Sequence, residues 1–214
     1  MGIGPDTFIV VGALGLAGLV LYLNLWRAVL CVRPSSLVID VEAPPDKMEV
    51  PAELEGLAKE LLECGFVPMG SHYEKPRLTH ETYSYDYAHV AGKVFATVYL
   101  SRKDEPRLYF LTQAESGAFA ITANHRRPAR ELPGQYLSGW IEDRTVARVF
   151  KAHQRWAATL GPAGGRFDQA GRLEAAKRWF EGPGKAEVRA QNLHGLLWSV
   201  GTLGMVGAAI FGKR

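Results

Sequence analysis

Residues 8–26 read FIVVGALGLAGLVLYLNLW, nineteen positions with no charge and with Asn24 as the one strongly polar side chain. As a helix rising 1.5 Å per residue the stretch reaches about 28 Å, close to the hydrocarbon thickness of a bilayer. A soluble core helix of this length normally shows a polar face, and this one shows none. A second uncharged stretch, GLLWSVGTLGMVGAAIF at 195–211, has seventeen residues, with Trp198 near one end and Phe211, Lys213 and Arg214 at the other. It reaches about 26 Å and places aromatic and basic residues where a membrane interface favours them. Together they predict an integral, multi-pass membrane protein with two spans. The residues before the first span, MGIGPDT, hold no Lys or Arg, and no small-x-small cleavage site precedes Arg27, so the segment reads as a retained anchor.

The chain between the spans has ordinary globular composition. Across 214 residues, 47% are apolar and 22% charged, which excludes collagen-like, coiled-coil-only and wholly disordered readings. Residues 34–192 contain 21 basic and 21 acidic side chains, so the net +3 comes from the flanks: Arg27, Arg33, Lys213 and Arg214 against Asp6. A balanced domain argues against nucleic acid as a partner. Asp6 before the first span and Arg27 and Arg33 after it place the N-terminus outside and the domain in the cytoplasm. The two cysteines, Cys31 and Cys64, form no disulfide framework.

Small residues recur in both spans: Gly12, Gly15 and Gly18, the pair Ala13 and Ala17, and the pair Gly204 and Ala208. In lipid such residues let helix backbones approach closely, so a hairpin or a homo-oligomer through these faces is expected, set against the general abundance of Gly in membrane helices.

Four regions follow: an N-terminal transmembrane anchor at 1–33, a Pro-rich linker at 34–51 whose run 37–41 could pair at a sheet edge, a soluble α+β domain at 52–192, and a C-terminal transmembrane helix and tail at 193–214. Within the domain, Leu54, Leu57, Ala58, Leu61 and Leu62 share one helical face, with Pro51 before and Gly65 after. Short runs rich in Val, Tyr, Phe and Thr at 66–72, 80–90, 94–101, 108–114 and 118–124 are joined by brief turns, which predicts a roughly five-stranded antiparallel meander. Two further helices, at 146–160 and 168–180, are expected to cover one face of it.

The chemical inventory is thin. Phosphate-loop, dinucleotide, nucleophile-elbow and paired-cysteine motifs are absent, and His80-Glu81 lacks the second His of a zinc-protease helix because Ser84 stands there. No metal or cofactor is expected, and no catalytic residue is assigned. In HETYSYDYAHV, 80–90, strand alternation sends Tyr83, Tyr85, Tyr87 and His89 to one face and Ser84, Asp86 and Ala88 to the other, so a His80–Asp86–His89 cluster cannot form within one regular strand. His72 could join only through tertiary contacts.

Two surfaces are candidates for binding. The segment NHRRPARELPGQYLSGWIED, 124–143, clusters His125, Arg126, Arg127 and Arg130, suited to a phosphate or an acidic partner, with Tyr136 and Trp140 as interface anchors. The alternative is that these residues fold back over the sheet. The helix from 145 onward sets Arg144, Arg148, Lys151 and Arg155 opposite an apolar stripe containing His153, a face that would suit anionic headgroups or be simply solvated. His153 reads as a hydrogen-bonded core histidine. The expectation is a non-enzymatic membrane protein whose domain binds a partner protein or the membrane surface. The competing expectation is a membrane-tethered hydrolase drawing on His80, Asp86, His89 or His125.

Overall fold

In the computed structural model, residues 5–142 and 145–211 are described. The chain runs α1 (Pro5–Val32), β1 (Val38–Ala43), α2 (Ala52–Glu63), β2 (Val67–Lys75), β3 (Thr82–His89), β4 (Val94–Leu100), β5 (Pro106–Gln113), β6 (Phe119–Ala123), β7 (Arg130–Leu132), β8 (Tyr136–Trp140), α3 (Val146–Ala158), α4 (Gln169–Glu181) and α5 (Gly184–Phe211). It divides into two compact units, one of residues 1–37, 76–80 and 185–214, the other of residues 38–75 and 81–184.

The first unit is built on α1 and α5, both long and apolar enough to cross a membrane. Their large side chains lie open: Leu14, Leu16, Leu19 and Leu23 on α1, and Leu197, Val200, Leu203 and Ile210 on α5 are all more than half exposed. The helices run antiparallel where they meet. A Cβ on Gly195 would fall 2.3 Å from Arg27 Cβ, so only glycine permits this approach. Four residues further along α1, Cys31 Sγ donates to Arg189 O at 3.5 Å. Asn24 donates its amide to Val20 O within its own helix. Gly12, Gly15 and Gly18, and Gly204 in α5, have open space where a side chain would stand.

The second unit is an α+β body around one sheet, ordered β1-β2-β3-β4-β5-β6-β8-β7. The five expected strands are present as β2–β6 and form an antiparallel meander. Eight strands stand where five were expected. β1 comes from the Pro-rich segment and pairs with β2 at one edge. β7 and β8, three and five residues long, come from the segment read as a loop. They form a hairpin around Gly134, whose φ of +67° suits glycine, and β8 docks parallel to β6. Strands this short carry too few positions to show a period of two.

The helices also depart from expectation, because they cover both faces. Leu54, Ala58 and Leu61 of α2 and Val146, Val149 and Phe150 of α3 pack on Tyr87, Ala96, Val98, Leu108 and Phe110. Ala175 of α4 packs on the reverse side, against Met69, Ala88, Phe95, Leu111, Phe119, Ile121 and Tyr136. The strands supply both sets by alternation, and each fully buried Leu or Phe stabilises by about 1.5–3 kcal/mol.

Helix ends follow the expected chemistry. Gly65, at φ +83°, closes α2, with Gly65 N donating to Leu62 O and Phe66 N to Leu61 O, both at 3.0 Å. Thr145 makes no side-chain cap for α3; Glu60 of α2 takes that role by accepting from Val146 N at 2.9 Å. Asp168 caps α4 through Gly171 N at 2.7 Å.

Candidate functional site

On the face beneath α4, strand register lays out a polar row. Asp86 of β3 stands opposite Thr97 of β4, and Thr97 opposite Tyr109 of β5. His72 of β2 pairs with Ser84, which places it diagonally next to Asp86. Arg172 descends onto this row from α4.

The contacts are dense. His72 Nδ1 lies 2.5 Å from Asp86 Oδ2. Asp86 Oδ1 accepts from the Thr97 hydroxyl at 2.7 Å and pairs with Arg172 Nε at 3.1 Å. Arg172 Nη2 donates to the Thr97 hydroxyl at 2.9 Å and to the Tyr109 hydroxyl at 2.5 Å. His72 and Asp86 are fully buried and Arg172 is 1% exposed. Burial alone would drive His72 toward neutrality, but the Asp86 carboxylate against its ring outweighs that and raises it to about 9. Burial likewise works to raise Asp86, and His72 with Arg172 overcomes it and holds the carboxyl below its ordinary value. The cluster is thus a charged His–Asp–Arg group closed to solvent. Glu74 Oε1 lies 3.7 Å from His72 Nε2, and the ion pair between Asp86 and Arg172 joins α4 to the sheet.

Further along the same face lies a half-buried basic rim. His125, just after β6, sets Nε2 3.3 Å from the Tyr99 hydroxyl and Nδ1 3.3 Å from Asn124 Oδ1. Asn124 Oδ1 can only accept, so Nδ1 carries the proton and Nε2 accepts from Tyr99. Desolvation first, then the charges of Arg107 and Arg127, hold His125 down at about 4. Arg107 is the direct cross-strand neighbour of Tyr99 and pairs with Glu105 at 3.2 Å.

Of the residues expected at the binding segment, His125 and Arg127 meet at this rim. Arg126 is exposed, and Arg130 and Trp140 are half-buried in β7 and β8. Tyr136, expected as an exposed anchor, is fully buried in β8: its ring lies 6.3 Å from that of Trp179, and its hydroxyl accepts from Arg127 Nη2 at 3.5 Å. On α3, Arg148, Lys151 and Arg155 are exposed opposite the buried stripe, and Arg144 lies outside the described residues. The packed neighbour α2 exposes Glu53, Glu55 and Glu63, so the layer presents both signs of charge.

The residues of the hydrolase expectation are not assembled. Asp86 lies beneath α4, whereas His89, on the α3 face, accepts from Gly92 N at 2.7 Å with its ring against Phe66 and Phe150. His153 is a core residue, 3.0 Å from the Thr112 hydroxyl and 2.9 Å from that of Thr122; burial keeps it neutral, down to about 3. Among the described residues no three metal-ligating side chains converge. An open groove of about 680 Å³ runs past the β4–β5 turn, walled by Tyr83, Tyr85, Tyr99 and Arg107. Sequence reading missed Arg107, Tyr109 and Arg172, which stand in strands and helices with no local signal of their joint position.

Compared with protein families, curated proteins and solved structures, the chain shows no match.

Proposed function

We propose that the chain is a two-span integral membrane protein whose α+β body is a binding module and not an enzyme. The observation that carries the anchoring is the apolar sheath of α1 and α5, where side chains such as Leu14, Leu19, Leu203 and Ile210 stand open along both helices. In water each would forgo about 1.5–3 kcal/mol of burial, a cost that lipid removes. The binding reading is supported by the closed state of the Asp86–His72–Arg172 group and by the basic rim at His125 and Arg127, with Arg126 and Arg130 beside them in the chain. The charge asymmetry about the first span, Asp6 against Arg27 and Arg33, supports a cytoplasmic body.

Alkaline carbonate extraction of membranes from expressing cells tests the anchor. The full chain is expected in the pellet, and a variant lacking residues 1–33 and 193–214 in the supernatant. Quantitative release of the full chain would overturn the reading.

A further inference from the structure

We infer that Arg107, Tyr99 and His125 form a binding site for a tetrahedral oxyanion of the phosphate class, either free phosphate or the phosphate of a lipid headgroup. The inference rests on the binding-module reading above and names the ligand class of that module's basic rim.

Two observations converge on this rim: a donor of Arg107 without an acceptor, and the open groove that Arg107 and Tyr99 both wall. Arg107 Nε is buried without an acceptor, while its Nη2 is held by Glu105 and the Tyr99 side chain is a further hydrogen-bond partner of the guanidinium. A buried donor beside an open groove suits an oxyanion, which supplies several acceptor sites at once.

The charges facing the rim agree. Burial first, and then the charges of Arg107 of β5 and Arg127 after β6, lower His125, and the acids acting nearby are Glu105 on Arg107 and Glu74 on Tyr99. Tyr99 completes the donor set. Its hydroxyl donates to His125 Nε2. An oxyanion draws that hydroxyl proton toward itself, and His125 takes a proton from solvent on Nε2 and donates it back to the Tyr99 oxygen. Arg107 and Tyr99 then contact the anion, and His125 positions Tyr99. Arg107 supplies a planar fork and Tyr99 a donor from a second direction, an arrangement that favours a tetrahedral over a planar anion.

The test uses the full chain in phosphatidylcholine nanodiscs, titrated with inorganic phosphate while the His125 ring is followed by NMR. Saturable binding is expected, with the His125 midpoint moving up from about 4. Arg107→Gln should weaken binding about tenfold or more and Tyr99→Phe several-fold, with Lys59→Gln on the opposite face unchanged. Arg107→Lys keeps the charge but loses the fork, and serves if the Gln variant does not fold. In nanodiscs containing phosphatidic acid, a His125 signal already shifted and no longer responsive to phosphate assigns the site to a lipid headgroup; a signal still responsive assigns it to free phosphate. Unsaturable phosphate binding with no phosphatidic acid response, equal binding of acetate, or wild-type affinity in a folded Arg107 variant would each overturn the inference. Those outcomes in a chain that carbonate leaves in the pellet remove the oxyanion site and leave the anchored reading standing.

Discussion

His72 Nδ1 and Asp86 Oδ2 meet at 2.5 Å with neither side chain exposed to solvent. The pair joins β2 to β3 diagonally, and Arg172 of α4 closes over it. Its charges are tolerable in the interior because each has a partner, and that dependence makes every member expensive to remove.

Asp86→Asn leaves Arg172 as a buried cation without its counter-charge, and His72, having lost the carboxylate that keeps it protonated, is driven neutral by burial. A loss of about 3–5 kcal/mol of unfolding free energy is expected, read by denaturant titration of the full chain in detergent. Thr97→Val, which removes a donor to Asp86 and an acceptor for Arg172, should cost about 1–3 kcal/mol. A near-neutral effect of both variants would mean that the network does not hold α4 in place.

The body's alkaline stability should report His72. Its folded value, about 9, lies above the ordinary 6.5. A raised value means that its contribution is complete below pH 6.5 and disappears as pH rises through 9, on the order of 3 kcal/mol. Unfolding midpoints measured from pH 6 to pH 10 should fall over that window, and the slope should flatten in His72→Gln.

His153 sets the opposite slope. Its folded value of about 3 lies below the ordinary 6.5, so stability is complete above pH 6.5 and falls progressively toward pH 3. Asp86, also depressed, adds a loss below its ordinary 3.8. Replacing His153 by Gln should shift the acid midpoint to lower pH, measured by tryptophan fluorescence against pH.

Gly70→Ala should destabilise by about 1–3 kcal/mol. Gly70 sits at the β2 bulge with φ +111°, and an added Cβ would fall 2.5 Å from Ala43 O and 2.4 Å from Gln169 Nε2. The strain is local to the bond Gln169 makes with Ala43 O at 2.9 Å, so hydrogen exchange should accelerate first in β1 and at the start of α4.

The orientation predicted from Asp6, Arg27 and Arg33 is checked at Ser116, an exposed residue between β5 and β6. In a variant with Cys31 and Cys64 replaced, a single Cys at this position should resist an impermeant thiol reagent in intact cells and react after permeabilisation. Labelling of intact cells would place the body on the other side.

What could be read from the chain alone was whatever depends on near neighbours in sequence. Unbroken apolarity in the two terminal stretches identified the long helices, the 3.6-residue spacing from Leu54 to Leu61 together with Pro51 and Gly65 bounded α2, and strict alternation placed Asp86 and His89 on opposite faces of β3. Tertiary structure alone decided that β1, β7 and β8 extend the sheet, since strands of three to six residues gain their stability from partners far along the chain. It also decided that α4 crosses the face opposite α2 and α3, burying Tyr136 and bringing Arg172 onto Asp86 across 86 positions of chain. Such contacts follow from register and packing, which local pattern does not encode, and for that reason the basic rim joined His125 to Arg107 and Tyr99 from different strands.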